Sequence, residues 1–271
     1  MSNLITIEQA IINFKELIEG SIIEGGTAGK QAMIRSSKPI NNIHEAVKSE
    51  LINNDIPRHR IFPPLGKTTP ELKLAGFLKQ KYQDVCVAPE GKETNEEILT
   101  EGLLQEATDY YGMEYTERTI SINIRSQISS LAKNFDTLYE RTIAEAQNLH
   151  VRCPRMCLGE VYMIAVPEYS SDAFKNNDIV FLDRAGTVEK YVKSFQAINS
   201  RTETNKDGYK YERVCLLIVD FRKEVPKIYN TDEELKEAGL LPDEAEASIA
   251  DLNWNNFTKN LLNTYFHRFN H

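Results

Sequence analysis

Between Arg118 and Gln127 the chain reads Arg-Thr-Ile-Ser-Ile-Asn-Ile-Arg-Ser-Gln, with isoleucine at every second position from 120 to 124. Side chains alternate across a strand, so Ile120, Ile122 and Ile124 fall on one face and Ser121, Asn123, Arg125 and Gln127 on the other. The period then changes. Ile128, Leu131, Phe135, Leu138, Ile143, Ala146 and Leu149 recur at helical steps, and Pro154 blocks any continuation. Met156 to Val166 returns as a largely apolar strand, and Arg213 to Phe221 reads as a second buried one. A strand, a helix and further strands in this order constrain the chain to an α/β fold.

The flanking segments fill in around this centre. Leu4, Ile7, Ile11, Phe14 and Ile18 predict an amphipathic helix over residues 4–19, ending at Gly20. Gly25 to Lys30 lacks the spacing of a phosphate-binding loop and reads as a flexible loop suited to touching DNA. Residues 43–54 predict a short helix bearing Glu45 and Glu50, after which Pro57, Pro63, Pro64, Gly66 and Pro70 argue against regular structure until residue 71. Residues 71–78 and 84–88 read as two strands joined through 79–83, with a helix over 71–81 as the alternative. An acidic loop region over 89–117 follows, and helices are expected over 188–199, after Asp232, and over 254–269. The expected architecture is a central mixed β-sheet flanked by helices. It divides into an N-terminal helical and loop region (1–69), an α/β core (70–230) and a C-terminal helical extension (231–271).

Composition narrows the function. In 271 residues, 41% are hydrophobic and 27% charged, enough apolar content to bury a sizeable core. No apolar run approaches the roughly 18 residues of a membrane span, and no basic flank precedes a greasy stretch at the start. With Cys86, Cys153, Cys157 and Cys215 read as reduced thiols, a cytoplasmic protein is expected, without a membrane partner. The net charge of −8 is unevenly spread: residues 25–83 hold ten basic and four acidic residues, whereas 84–117 hold one lysine and ten acids. A basic block containing Lys30, Arg35, Lys38, Arg58, His59, Arg60, Lys79 and Lys81 suits a polyanion, although an ordinary solvated face has the same composition.

Hydrolysis of a phosphodiester needs hard oxygen ligands for a divalent cation, a positioned water and a cation near the developing charge. Asp84 opens a strand, and Asn123, Arg125 and Gln127 share one face of the next. Glu45 or Glu50 on the preceding helix, or Glu71 with Lys73, would supply a further acid and cation. A rival set, Asp178 with Glu189 and Lys193, falls on a helical period, and Asp220 with Arg222 reads as a strand terminus. A zinc corner from His150, Cys153, Cys157 and Cys215 has no usual spacing, and the histidines at 44, 59, 150, 267 and 271 show no pairing.

The order of elements across residues 43–166 resembles the common core of PD-(D/E)XK nucleases. The segments Ser121-Ile-Asn-Ile-Arg-Ser-Gln127, Lys133-Asn-Phe-Asp136 and Gly159-Glu-Val-Tyr162 look like bacterial type II restriction endonucleases. The resemblance implies a restriction-endonuclease-like core and a Mg²⁺-dependent, sequence-specific endonuclease acting as a homodimer on double-stranded DNA. It also implies a metal-binding role for Asp84. Asn123 and Arg125 stand where that family carries the acid and lysine of Glu-x-Lys, so the acid is expected from Glu71 or a helix glutamate and the cation from Arg125 or Gln127. A non-catalytic DNA-binding protein on the same scaffold is the alternative that this departure favours; a metabolic α/β enzyme lacks a cofactor fingerprint.

Overall fold

The computed structural model describes residues 3–183 and 186–269; Met1, Ser2, Arg184, Ala185, Asn270 and His271 lie outside them. Seven helices are described: α1 (Ile7–Arg35), α2 (Lys38–Asn53), α3 (Met113–Glu117), α4 (Leu131–Arg152), α5 (Thr187–Ala197), α6 (Asp232–Glu237) and α7 (Trp254–Phe269). The strands are β1 (Ile61–Phe62), β2 (Lys73–Ala75), β3 (Gln80–Tyr82), β4 (Val85–Val87), β5 (Glu97–Ile98) and β6 (Thr108–Asp109), then β7 (Ile120–Gln127), β8 (Cys157–Ala165), β9 (Glu168–Tyr169), β10 (Phe181–Leu182), β11 (Arg213–Asp220) and β12 (Lys227–Tyr229).

The protein is α/β, with a mixed six-stranded sheet in the order β1-β4-β7-β8-β11-β12. β1, β4 and β7 pair antiparallel, β7, β8 and β11 parallel, and β12 returns antiparallel. The parallel step from β7 to β8 requires a crossover, which α4 makes. Ile120, Ile122 and Ile124 face a core shared with α1, α2 and α7, while Leu158, Tyr162 and Ile164 join the core under α4, α5 and α6. Helices therefore cover both faces. A strand covered on both sides reads as a continuous apolar run, and all nine residues of β8 are buried.

Several sequence expectations change. α1 does not stop at Gly20 but runs to Arg35, because burial of Ile18 and Ile22 outweighs the roughly 1 kcal/mol helix penalty of a glycine. It kinks at Gly26 (φ 54°), where a Cβ would lie 2.5 Å from the Phe174 carbonyl oxygen. The segment expected as a flexible loop is thus helical, and Lys30 donates to Ser129 Oγ at 3.1 Å with its amine over the Phe174 ring. The proline-rich stretch still contains β1, an edge strand that closes before Pro63. β4 pairs with β1 and β7, and the hairpin is instead β2 with β3 in a separate small sheet. The acidic region 89–117 carries the β5–β6 pair and α3. The polar face of β7 is not solvated: α4 packs over it, leaving Ser121 and Asn123 buried.

Candidate functional site

Antiparallel pairing of β4 with β7 aligns Val85 with Ile122, which sets Asp84 at the level of Asn123. Its Oδ2 accepts from the Ile124 amide at 2.8 Å, pinning the carboxylate to β7. Two cavities meet there. One of about 340 Å³ is lined by Asp84, Lys81, Arg125 and Arg141; the other, about 510 Å³, by Asp84, Glu71, His44 and Lys38. The end of α1 and the start of α2 supply rim residues, Ile34 and Ile40 to the first and Lys38 and Ile40 to the second.

Parallel pairing of β7 with β8 puts Glu160 directly beside Asn123. Glu160 has no solvent exposure, and neither carboxylate oxygen has a hydrogen-bond partner; Asn123 Oδ1 is also unpartnered. Arg125 lies 3.5 Å from Glu160 Oε1, too long for a hydrogen bond, and commits its guanidinium to Glu145 Oε2 at 2.7 Å and to Thr142 Oγ1. Burial pushes the Glu160 carboxyl up to about 7, against the Arg125 charge and helped by Glu145 and Asp84. Glu145 goes the other way: burial opposes ionisation, but Arg125, Lys81 and Lys79 hold it below the ordinary carboxylate range. Glu71 is raised, first by burial and then by the like charge of Asp84. Burial keeps His44 low, which favours its neutral form despite nearby Asp84.

The expected residues separate accordingly. Asp84, Glu71, Arg125, Lys81 and Lys38 come together, with Asn123 buried beside them and Lys79 reaching Glu145 at 3.9 Å. Lys73 does not join; its amine sits over the Tyr82 ring. Gln127 is a core residue, accepting from Tyr162 and Tyr191 hydroxyls and donating to the Ser130 carbonyl, because the tyrosines cover that end of the face. Glu50 lies about 9 Å further along α2 than His44, at 1.5 Å of rise per residue, and accepts from Asn54. Arg60 is buried, donating to the Ala88 carbonyl and pairing with Glu90. The register Ile61 to Val87 puts it, with Arg58 and His59, at the end of β4 remote from Asp84. Lys30 is packed as described above, and Arg35 is exposed at the end of α1. In the rival set Glu189 pairs with Lys193 on α5, and Asp220 pairs with Arg222 at the end of β11.

Glu160, Glu145, Lys81 and His44 complete what the sequence reading placed only partly. A single acid inside the apolar stretch Met156 to Val166 was the available signal for Glu160, since a charge in a strand covered on both faces costs free energy unless it is used.

Among the described residues no group of three or more His, Cys, Asp or Glu is arranged to hold a metal ion. Asp84 and Glu71 are the carboxylates that could hold a hard divalent cation such as Mg²⁺, which takes one or two carboxylates and leaves its other positions to water and phosphate. Asp84 and Glu71 face one cavity with mutually repelling charge, and unpartnered oxygens of Asn123 and Glu160 lie behind them. Comparison of the chain with family models, curated proteins and solved structures found no match. No helix among the described residues is long and apolar enough to cross a membrane.

Proposed function

We propose that the protein is a Mg²⁺-dependent endonuclease acting on double-stranded DNA, with its reaction centre at Asp84. The observation that carries this reading is that Asp84 lines two adjoining cavities, one with Lys81 and Arg125 and the other with Glu71, while unpartnered Glu160 lies buried 3.5 Å from Arg125. The pairing β1–β4–β7 antiparallel and β7–β8 parallel through α4 supports the restriction-endonuclease-like core that the sequence suggests. Asp84 and Glu71 would hold the ion, which supplies Lewis-acid polarisation of the phosphate and a more acidic bound water. Lys81, anchored to Glu145, sets a cation beside Asp84 in place of the family lysine, while Arg125 keeps the carboxylates of α4 and β8 apart. Lys38, Arg35, Lys79 and Arg141 would meet the phosphate backbone. A homodimer would supply the second centre needed to cut both strands.

A second reading, a DNA-binding protein without catalysis, is favoured by Asn123 in the acid position and by Arg125 tied down by Glu145. Supercoiled plasmid incubated with and without Mg²⁺ separates them. Wild type should nick or linearise DNA only with the ion, and Asp84→Ala should lose at least about a hundredfold in rate, as loss of a metal-polarising carboxylate entails. DNA retention without cutting by wild type would select the second reading; undiminished cutting by Asp84→Ala would remove Asp84 from the mechanism.

A further inference from the structure

On the sheet face opposite Asp84, the segment after α5, the start of β11 and the C-terminal half of α7 enclose a cavity of about 470 Å³. Arg201, Arg213 and Arg268 line it, with His267 and the polar side chains of Asn263 and Thr264; no carboxylate does. Glu212 is fully buried beneath the arginines, and Glu203, between the lining Thr202 and Thr204, is neutralised by its pair with Lys206. Glu212 takes Arg201 at 3.1 Å and Arg268 at 2.9 Å, and against the effect of burial His150, Arg268 and the Leu158 amide hold it ionised. Three guanidinium charges thus meet one carboxylate, leaving about two positive charges facing the cavity at neutral pH.

The donors are only partly used. All four contacts of Arg268 run from Nη1, to the carbonyls of Arg155 and Met156, to Cys157 Sγ and to Glu212. Its Nε and Nη2 have no hydrogen-bond partner among the described residues. Arg213 donates only through Nη1, to the Glu212 carbonyl, and forms no ion pair among the described residues. Arg201, by contrast, is anchored by the carbonyls of Pro154, Thr204 and Lys206 and forms a rigid floor. A guanidinium fork matches the oxygens of an oxyanion, and fixed donors bind one with little ordering cost. A carboxylate would neutralise half of the surplus charge; a phosphate monoester, at −1.5 to −2 near pH 7, neutralises nearly all of it. The volume is that of a small-molecule site.

We propose that this cavity binds the phosphate group of a small phosphomonoester, at a site separate from the Asp84 centre. Free phosphate and a nucleotide share that chemistry. The test is calorimetric titration of the full chain with inorganic phosphate, a nucleoside 5′-monophosphate and the unphosphorylated nucleoside, with acetate at equal ionic strength as control. Phosphate and the monophosphate should bind wild type while nucleoside and acetate do not; tighter binding of the monophosphate assigns the nucleotide, equal binding assigns free phosphate. Arg213→Gln should weaken binding about tenfold, the loss of a charge-assisted fork, and Asp84→Asn should leave it unchanged. Exposed Asn263→Asp puts a carboxylate at the rim and should weaken binding as much without touching the core, so it decides the matter if Arg213→Gln misfolds. Undiminished binding by Asn263→Asp, acetate binding as well as phosphate, or no binding of phosphate and monophosphate by wild type would overturn the proposal. Plasmid cutting by Arg213→Gln at the wild-type rate is expected, so the two sites stand or fall separately.

Discussion

Glu160 on β8 and Glu212 just before β11 are the same residue type, both without solvent exposure, yet their carboxyls sit on opposite sides of the ordinary value. Glu212 accepts from the Leu158 amide at 2.7 Å and is ringed by Arg201, Arg268 and His150, and its carboxyl falls to about 2. Glu160 has neither oxygen hydrogen-bonded, with Arg125 at 3.5 Å and turned toward Glu145, and its carboxyl rises to about 7. Burial raises both; the number of donors decides which ends ionised. The satisfied carboxylate ties the start of β11 to β8 and α7, whereas the unsatisfied one is a strained group beside Asp84. Such strain persists where the surrounding fold enforces it, and it marks the site more sharply than any charge count.

The contrast breaks most visibly at Glu212. Glu212→Ala strands two buried guanidinium groups and should cost about 3–5 kcal/mol in urea unfolding. At Glu160 the sign reverses: in metal-free buffer at pH 8, Glu160→Gln should stabilise by about 1–3 kcal/mol, because a buried charge with no hydrogen bond is replaced by a neutral group. A loss of stability on that change would mean that Glu160 is better partnered than its surroundings indicate.

The pH dependences should oppose each other as well. Glu160 is raised above its unfolded value of 4.5, so the native state holds an extra proton between about 4.5 and about 7. The stability it contributes is present below 4.5 and lost as pH rises through 7. Glu212 is depressed, so its contribution is present above 4.5 and lost as pH falls toward 2. Each shift corresponds to about 3 kcal/mol at full extent. Urea midpoints across pH 3 to 8 for wild type, Glu160→Gln and Glu212→Gln resolve the two slopes, each variant deleting one. At the small end stands the exposed Asp172–Lys175 pair; Lys175→Ala should shift stability by less than about 0.5 kcal/mol.

What the sequence disclosed follows from where a periodic signal exists. β7, α4, β8, β11 and α7 are long enough for period two, period 3.6 or an unbroken apolar run to emerge, and each lies within a few residues of its expected place. β1 and β12, two and three residues long, offer no period at all. Gly20 reads locally as a helix stop, but the packing of α1 on the sheet is set by residues distant in the chain. At the site, Asp84 was legible from its position at a strand start. Glu160 carried a signal as a lone acid in an apolar stretch, but its place at the site was not legible, because its neighbour Asn123 is 37 positions away and only the β7–β8 register joins them. Gln127 misled for the same reason: alternation assigns it a face but says nothing of Tyr162 and Tyr191, which close that face.

The brevity of β1 and β12 has a consequence for the chain in crowded solution. These two strands are the open borders of the sheet, and each abuts proline: Pro63 and Pro64 beyond β1, Pro226 before β12. A border of two or three residues flanked by a residue with no amide hydrogen offers little template for strand addition by a second molecule. The long aggregation-prone segments, β8 and β11, are paired on both sides, so fibrillar association requires the sheet to open first.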